Sequence, residues 1–309
     1  MITALFSANE SNWDKFSNPL RAAFASADLT VKLTRDAPSS EVDYIIYAPN
    51  STLQDFAPYT RLKAVLSLWA GVETAVHNPT LKVPFTRMVS DGLSEGMVEW
   101  CVGHVLRHHL GLDRDICRRD AVWDPVVPPL ARDRPVTILG LGALGQAVAQ
   151  SLVASKFPVT GWSRSAKEIA GVRSFSGEAG LAQALRDAQI AILLLPMTPQ
   201  TENILDQERL ALLARGAFVI NPGRGPLIDD EALLTALNSG HIAHATLDVF
   251  RTEPLPSDHP FWAHPSVTVT PHIASDTRAD TAAEMIAENI RRGEVGEPYL
   301  HLVDRAAGY

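Results

Sequence analysis

Apolar positions along the chain fall into short continuous runs alternating with longer stretches at helical spacing. Ile2–Ser7 reads as a strand, and Trp13, Phe16, Leu20 and Phe24 recur as one face of an amphipathic helix. Tyr44–Ala48 and Lys63–Leu68 are buried-strand candidates, and Phe85–Val89 is a further extended piece. This alternation predicts a small open α/β domain. Ser94 is placed as a helix N-cap with Glu95 in the first turn, and the helix runs through Val98, Val102, Val105 and Leu106 towards Cys117. Trp123–Pro135 holds four prolines and reads as an irregular crossing into a second domain.

From Val136 the pattern is β then α, repeated. Val136–Leu139 runs into Gly140-Leu-Gly142-Ala143-Leu144-Gly145, and Gln146–Val153 has helical spacing. Strand, glycine turn and helix together are the context in which G-x-G-x-x-G binds a dinucleotide. Gly140 makes the turn, Gly142 lets a pyrophosphate approach, and Gly145 lets helix and strand pack closely. Further strands are expected at Val159–Trp162, Gln189–Leu195, Ala217–Ile220, Ala245–Phe250 and Val267–Thr270. Helices are expected at Glu178–Ala188, Asp206–Leu213, Asp229–Leu237 and 276–292. Alternation of this length predicts a doubly wound parallel sheet.

Composition narrows the class. The chain has 309 residues, more than one core usually organises, and 46% of them are apolar and 20% charged, which excludes a disordered or fibrous chain. A net charge of −8 argues against nucleic-acid binding. No apolar run reaches the ~20 residues of a membrane span. The N-terminus lacks a basic segment and soon meets Asn9, Glu10 and Asp14, so no secretory leader is expected. Only Cys101 and Cys117 are present, which makes a reducing cytoplasm the default compartment.

In NAD-binding units an acidic residue ends the second strand and holds the ribose 2′-OH. Here that place reads Trp162-Ser163-Arg164-Ser165, with Lys167 nearby. A guanidinium and hydroxyls suit a 2′-phosphate, so NADP(H) is preferred and NAD(H) remains possible; the duller reading is a solvated turn. Three more strand ends carry chemistry. Asn221-Pro222-Gly-Arg224-Gly225 puts a guanidinium where it could hold an α-keto carboxylate, or it is paired with a surface acid. Asp248 ends a strand and Glu253 follows in a proline-bracketed loop, either functional or a solvated charge. His272 follows another strand, as an acid/base group or as a capping or core histidine. Singly each duller reading holds its own; together the three make a carboxylate binder, a proton donor and a carboxylate that would orient it. His104 and His108 stand one helical turn apart as a possible metal pair, with His109 beside them; no third ligand is evident, and a structural role is preferred.

With Leu195-Pro196-Met-Thr-Pro-Gln-Thr201, Leu247–Phe250, Glu253-Pro254 and Pro271-His-Ile-Ala274, these motifs resemble the D-isomer-specific 2-hydroxyacid dehydrogenase family over nearly the whole chain. Trp162–Ser165, Gly96–Trp100 and the ending Val303–Tyr309 resemble its glyoxylate/hydroxypyruvate reductase A subgroup. The resemblance implies a doubly wound Rossmann nucleotide-binding domain over 99–275. A discontinuous flavodoxin-like α/β substrate domain would comprise 1–98 and 276–309, with the active site in the cleft. It places the catalytic trio on Arg224, Glu253 and His272, and carboxylate-binding amides on Trp69-Ala70-Gly71-Val72. It adds cofactor contacts from Leu195, Pro196, Thr201, Pro222, Ala274 and Ser275, and one from Asp248 to the nicotinamide carboxamide.

The activity implied is reduction of short 2-keto acids such as glyoxylate and hydroxypyruvate to D-2-hydroxy acids by NADPH, in a homodimer paired through the nucleotide domains. Two other readings are carried beside it: an NAD-linked dehydrogenase for a longer 2-hydroxy acid, and a dinucleotide-sensing binding protein on the same scaffold. Two positions depart from the commoner family pattern. Pro222 would stiffen the loop before Arg224, and bulky Trp69 would narrow the pocket or cap it.

Overall fold

The computed structural model describes residues 1–308, so Tyr309 of the C-terminal signature lies outside the described residues. The chain divides into two compact units, Met1–Leu93 with Asp276–Tyr309, and Ser94–Ser275.

The first unit is built on a five-stranded parallel sheet: β1 (Ile2–Ser7), β2 (Val31–Thr34), β3 (Tyr44–Tyr47), β4 (Ala64–Ser67) and β5 (Phe85–Thr86), in the order β2-β1-β3-β4-β5. That is the doubly wound order of flavodoxin-like sheets. β3 and β4 are buried at every position, because both faces are covered. Helix α1 (Glu10–Ser26) lays Phe16, Leu20 and Phe24 on one face. The expected extended piece 85–89 shrinks to Phe85 and Thr86, an edge strand.

Helix α2 (Asp91–Leu110) leads from the first unit into the second. It begins at Asp91 rather than after Ser94, and the hydroxyl of Ser90 accepts the Leu93 amide at 3.4 Å. Ser94 therefore lies inside the helix. Gly111, with φ +67, ends α2, and a short helix α3 (Leu112–Ile116) precedes Cys117, so the expected continuous helix is broken. A left-handed residue cannot continue a right-handed helix.

The second unit holds β6 (Val136–Leu139), α4 (Ala143–Ala154), β7 (Val159–Ser163), β8 (Val172–Ser176), α5 (Gly177–Leu185), β9 (Ile190–Leu193), α6 (Gln207–Leu210), β10 (Ala217–Asn221), α7 (Asp230–Asn238), β11 (Ile242–Leu247), α8 (Pro260–Ala263) and β12 (Val267–Val269). Its sheet is parallel in the order β12-β11-β10-β9-β6-β7-β8. The chain order reverses beside β6, between β9 and β7, and the carboxyl ends there form the switch point where ligands bind. Two apolar layers fill its two faces, one around Leu193, Val219 and Leu247 and one around Ile138, Val148 and Ile192. β11 lies earlier than expected, which leaves Asp248–Phe250 just beyond the strand. The last helix, α9 (Ala279–Val295), returns to the first unit and buries Ala282, Ile286 and Ile290 there. Among the described residues, no helix is long and apolar enough to cross a membrane.

Candidate active site

Arg224, Glu253 and His272 all stand on connections that leave carboxyl ends of the second unit's sheet. Arg224 follows β10 through a loop that Asn221 folds from within. The Asn221 Nδ2 donates to the Arg224 carbonyl at 2.9 Å, and its Oδ1 accepts the Gly223 amide at 3.1 Å. Asn221 is buried, so this loop is fixed by hydrogen bonds that water does not contest. Arg224 itself is half-buried.

Glu253 holds the imidazole of His272. Its Oε2 lies 2.7 Å from Nδ1, and its Oε1 accepts the Phe250 amide at 2.9 Å. An ionised carboxylate can only accept, so Nδ1 carries the proton and Nε2 is the outward working atom. The hydrogen bond that His272 donates to Glu253 raises the His272 pKa above the ordinary imidazole value against the opposing effect of burial. Burial pushes the Glu253 carboxyl up, but the hydrogen bonds from His272 and the Phe250 amide outweigh it and hold the group below its ordinary range. Each partner thus favours the charged form of the other. Arg224 is close enough to act electrostatically on both: it lowers the His272 pKa and the Glu253 pKa.

His272 has a left-handed backbone, φ +54, which is costly for any residue with a Cβ. Asp248 holds that turn. Its buried carboxylate accepts the Thr270 hydroxyl at 2.5 Å, the Ile273 amide at 2.9 Å and the Ala274 amide at 2.8 Å, while its carbonyl accepts the His272 amide at 2.9 Å. The sequence reading gave Asp248 a contact with the cofactor and did not foresee this anchoring. An acid at the end of one strand, level with a Thr-Pro-His at the end of the next, was the available signal. Gly225 belongs to the same frame: a Cβ there would fall inside the Phe250–Arg251 peptide, so only glycine lets the Arg224 and Glu253 loops pack together.

At the switch point, Gly140 turns the chain with φ +110, and a Cβ on Gly145 would collide with the Gly140 carbonyl. Gly142 is the N-cap of α4 and supplies no side chain to cap it, and the first turn holds no acidic residue. A Cβ on Gly142 would meet nothing within 4 Å. Ala143 and Leu144 open the helix, whose free amides and positive dipole end suit a pyrophosphate. At the end of β7, the buried Ser163 hydroxyl donates to the Ser165 carbonyl at 2.7 Å, shaping a turn that leaves Arg164 and Ser165 exposed. Thr201 donates to the Pro196 carbonyl at 2.7 Å and accepts the Thr198 amide at 2.8 Å, closing the loop after β9 that begins at Leu195. Ala274 is buried and Ser275 half-buried after the His272 turn; Pro222 is buried. These residues fit a nicotinamide dinucleotide.

Trp69, Ala70 and Gly71 belong to the first unit, just past β4. The Ser67 hydroxyl accepts the Trp69 amide at 3.0 Å and donates to its carbonyl at 2.9 Å, and the Trp69 side chain is exposed. The α2 histidines are used in packing. His108 stacks on Phe218 and its Nε2 lies 2.9 Å from the Thr246 hydroxyl, while His109 packs edge-on to Phe157.

Residues 102–274 match the family described as D-isomer specific 2-hydroxyacid dehydrogenase, NAD binding domain. The chain is 43% identical over 257 residues to glyoxylate/hydroxypyruvate reductase A of Serratia proteamaculans, covering 81% of this chain and 82% of that one. It superposes with a TM-score of 0.92 and 40% identity on a D-isomer specific 2-hydroxyacid dehydrogenase of Xanthobacter autotrophicus solved with NADPH and MES, over 99% of both chains. The NADPH-dependent glyoxylate/hydroxypyruvate reductase of Sinorhizobium meliloti, solved with NADP and sulfate, matches over 100% of both chains at TM-score 0.87 and 33% identity. A nucleotide-binding switch point, the three strand-end groups and these relatives agree: the chain belongs to the D-isomer specific 2-hydroxyacid dehydrogenase family, within its glyoxylate/hydroxypyruvate reductase A subgroup.

Proposed function

We propose that this chain reduces short 2-keto acids, glyoxylate and hydroxypyruvate among them, to D-2-hydroxy acids at the expense of NADPH. The observation that carries the reading is the hydrogen-bonded Glu253–His272 pair, 2.7 Å apart, within the electrostatic reach of Arg224. Arg224 clamps the substrate carboxylate in bidentate fashion and polarises the neighbouring carbonyl. When bound, the nicotinamide supplies the hydride to the carbonyl carbon. His272 delivers its Nε2 proton to the developing alkoxide oxygen, and Glu253 keeps the ring charged and turned the right way. The ring side chain is 53% exposed, so solvent restores the proton after each turnover.

The pyrophosphate is assigned to the amides at Gly142–Gly145. The 2′-phosphate goes to Arg164 with Ser163 and Ser165, and the carboxamide to the second lone pair of Asp248 Oδ2. Leu195, Pro196, Thr201, Pro222, Ala274 and Ser275 are assigned to the walls of the cofactor site. The amides of Ala70 and Gly71 are assigned to the substrate carboxylate, while the Trp69 amide, already given to the Ser67 hydroxyl, shapes the turn that presents them. The assay is NADPH oxidation followed at 340 nm with a panel of 2-keto acids, repeated with NADH. Turnover of glyoxylate and hydroxypyruvate with NADPH is expected. Tight NADPH binding without turnover of any short keto acid would overturn the reading.

The assembly we propose is a homodimer paired through the second unit. Trp123, 95% exposed, leads a run of exposed apolar residues through Ile116, Val126, Val127 and Leu130. Such a patch is what a partner of the same kind covers. Sedimentation of wild type and of Trp123→Asp tests it, with a monomer expected for the variant. We place the protein in the cytoplasm, where the exposed free thiol of Cys117 stays reduced.

A further inference from the structure

Glu253 sits on the irregular connection between β11 and α8, and something must hold that connection still. The carboxylate is bonded to the Phe250 amide of its own loop, so it moves wherever the 250–253 turn moves. The residue between them and the rest of the unit is Arg251. Its Nη2 donates to the Ile228 carbonyl at 2.7 Å and to the Asn203 side-chain oxygen. Its Nε lies 3.6 Å from Asp230 Oδ2. Asn203 belongs to the connection after β9, Ile228 to the one after β10 that carries Arg224, and Asp230 opens α7 at the end of that connection. One guanidinium therefore ties three strand-end connections together. Asp230 also stands 3.9 Å from His259 Nε2, at the far end of the Glu253 loop, so both ends of that loop meet the same carboxylate.

We propose that Arg251 is a positioning residue for the proton-donating pair: its guanidinium ties the Glu253 loop to its neighbours and so fixes the carboxylate against the imidazole of His272. The Arg251 side chain is one-third exposed, and its ion pairs at 3.6 Å and beyond are worth little. The directed hydrogen bonds to Ile228 and Asn203 carry the effect. A displacement of the 250–253 turn by about 1 Å would take the Glu253–His272 contact out of hydrogen-bonding range. A lysine keeps the charge but not the rigid planar group that aims Nη2 at both acceptors.

The proposal rests on the reading of Glu253 and His272 given above, and its test has one readout that needs no turnover. In Arg251→Met the His272 ring is titrated by NMR, and the pH profile of glyoxylate reduction is measured beside it. We expect the ring pKa to fall towards the ordinary ~6.5 of imidazole. We expect kcat above neutrality to fall roughly tenfold per unit of that shift, with KM for NADPH unchanged. Arg251→Lys should lie between wild type and Arg251→Met. The sign is diagnostic, because deleting a positive charge near an imidazole raises its pKa, whereas loosening Glu253 lowers it. An unchanged or raised ring pKa in folded Arg251→Met overturns the proposal. Should that variant fail to fold, Asn203→Ala removes one acceptor only, and the ring pKa must still fall, by less. A wild-type chain that turns over no 2-keto acid while its ring pKa responds to Arg251 would leave the positioning intact and sink the reductase reading instead.

Discussion

The carboxylate of Asp248 accepts the backbone amide of Ala274 at 2.8 Å, and through it the strand end at 248 grips the turn that presents His272. The grip has three donors, all of which lose their acceptor in Asp248→Ala. Only the Ala274 bond is fully buried, and an unsatisfied buried donor costs ~1–3 kcal/mol, so the variant should lose about that much in urea unfolding. Its kcat should fall as well, because the left-handed turn at His272 loses what holds it. A loss under ~1 kcal/mol would mean that other contacts hold the turn.

Glu253→Gln removes the group that keeps His272 protonated. Reduction needs the charged ring, so activity persists below the ring pKa and declines as pH rises through it. With the pKa lowered, the alkaline limb of kcat should move to lower pH, at roughly tenfold lost activity per unit on that limb. His272→Ala should lose about 10²–10⁴-fold throughout and show no such limb. An unmoved limb in Glu253→Gln would separate the carboxylate from the proton donor.

Arg164→Ala tests the assignment of the 2′-phosphate. A charge-assisted hydrogen bond is worth ~1.5–3 kcal/mol, so KM for NADPH should rise by roughly 10- to 100-fold while KM for NADH stays put. Equal losses with both cofactors would remove Arg164 from the phosphate.

Acid should weaken the second unit through two histidines outside the catalytic trio. Burial, reinforced by His244 and Arg107, pushes His108 down to about 3, and burial reinforced by Arg107 pushes His244 down to about 4. His104 and His264 add to the positive field and Asp113 opposes it. Both rings stay neutral when folded and take up protons at ~6.5 when unfolded. Below that pH the unfolded chain binds more protons, so stability falls as pH drops from about 6.5 towards 4. His108→Gln, which can keep the hydrogen bond to Thr246, should narrow the gap between urea midpoints at pH 7 and pH 4.5. An unchanged gap would place the acid sensitivity elsewhere.

Much of this was legible in the residues. The central strands declared themselves as apolar runs because parallel strands are buried on both faces. β2 and β8 did not, since they are edge strands with charged residues, Lys32 and Arg173, facing water. Arg224, Glu253 and His272 were readable from their strand ends and motifs. The frame behind them was not. Arg251, Asn203 and Asp230 are far apart in sequence and become neighbours only when three loops fold over one sheet edge.

Helix α9 supplies Ile286 and Ile290 to the same core face as Leu20, Ile46 and Leu66. Nearly the whole chain is therefore synthesised before that core can close. Domains on the ribosome generally fold in the order in which they emerge. Here the order inverts: residues 94–275 emerge as one uninterrupted piece, while β1 to β5 wait with an apolar face bare. The nascent first unit is where a chaperone or a protease would find its opening, and the half of the protein begun first is finished last.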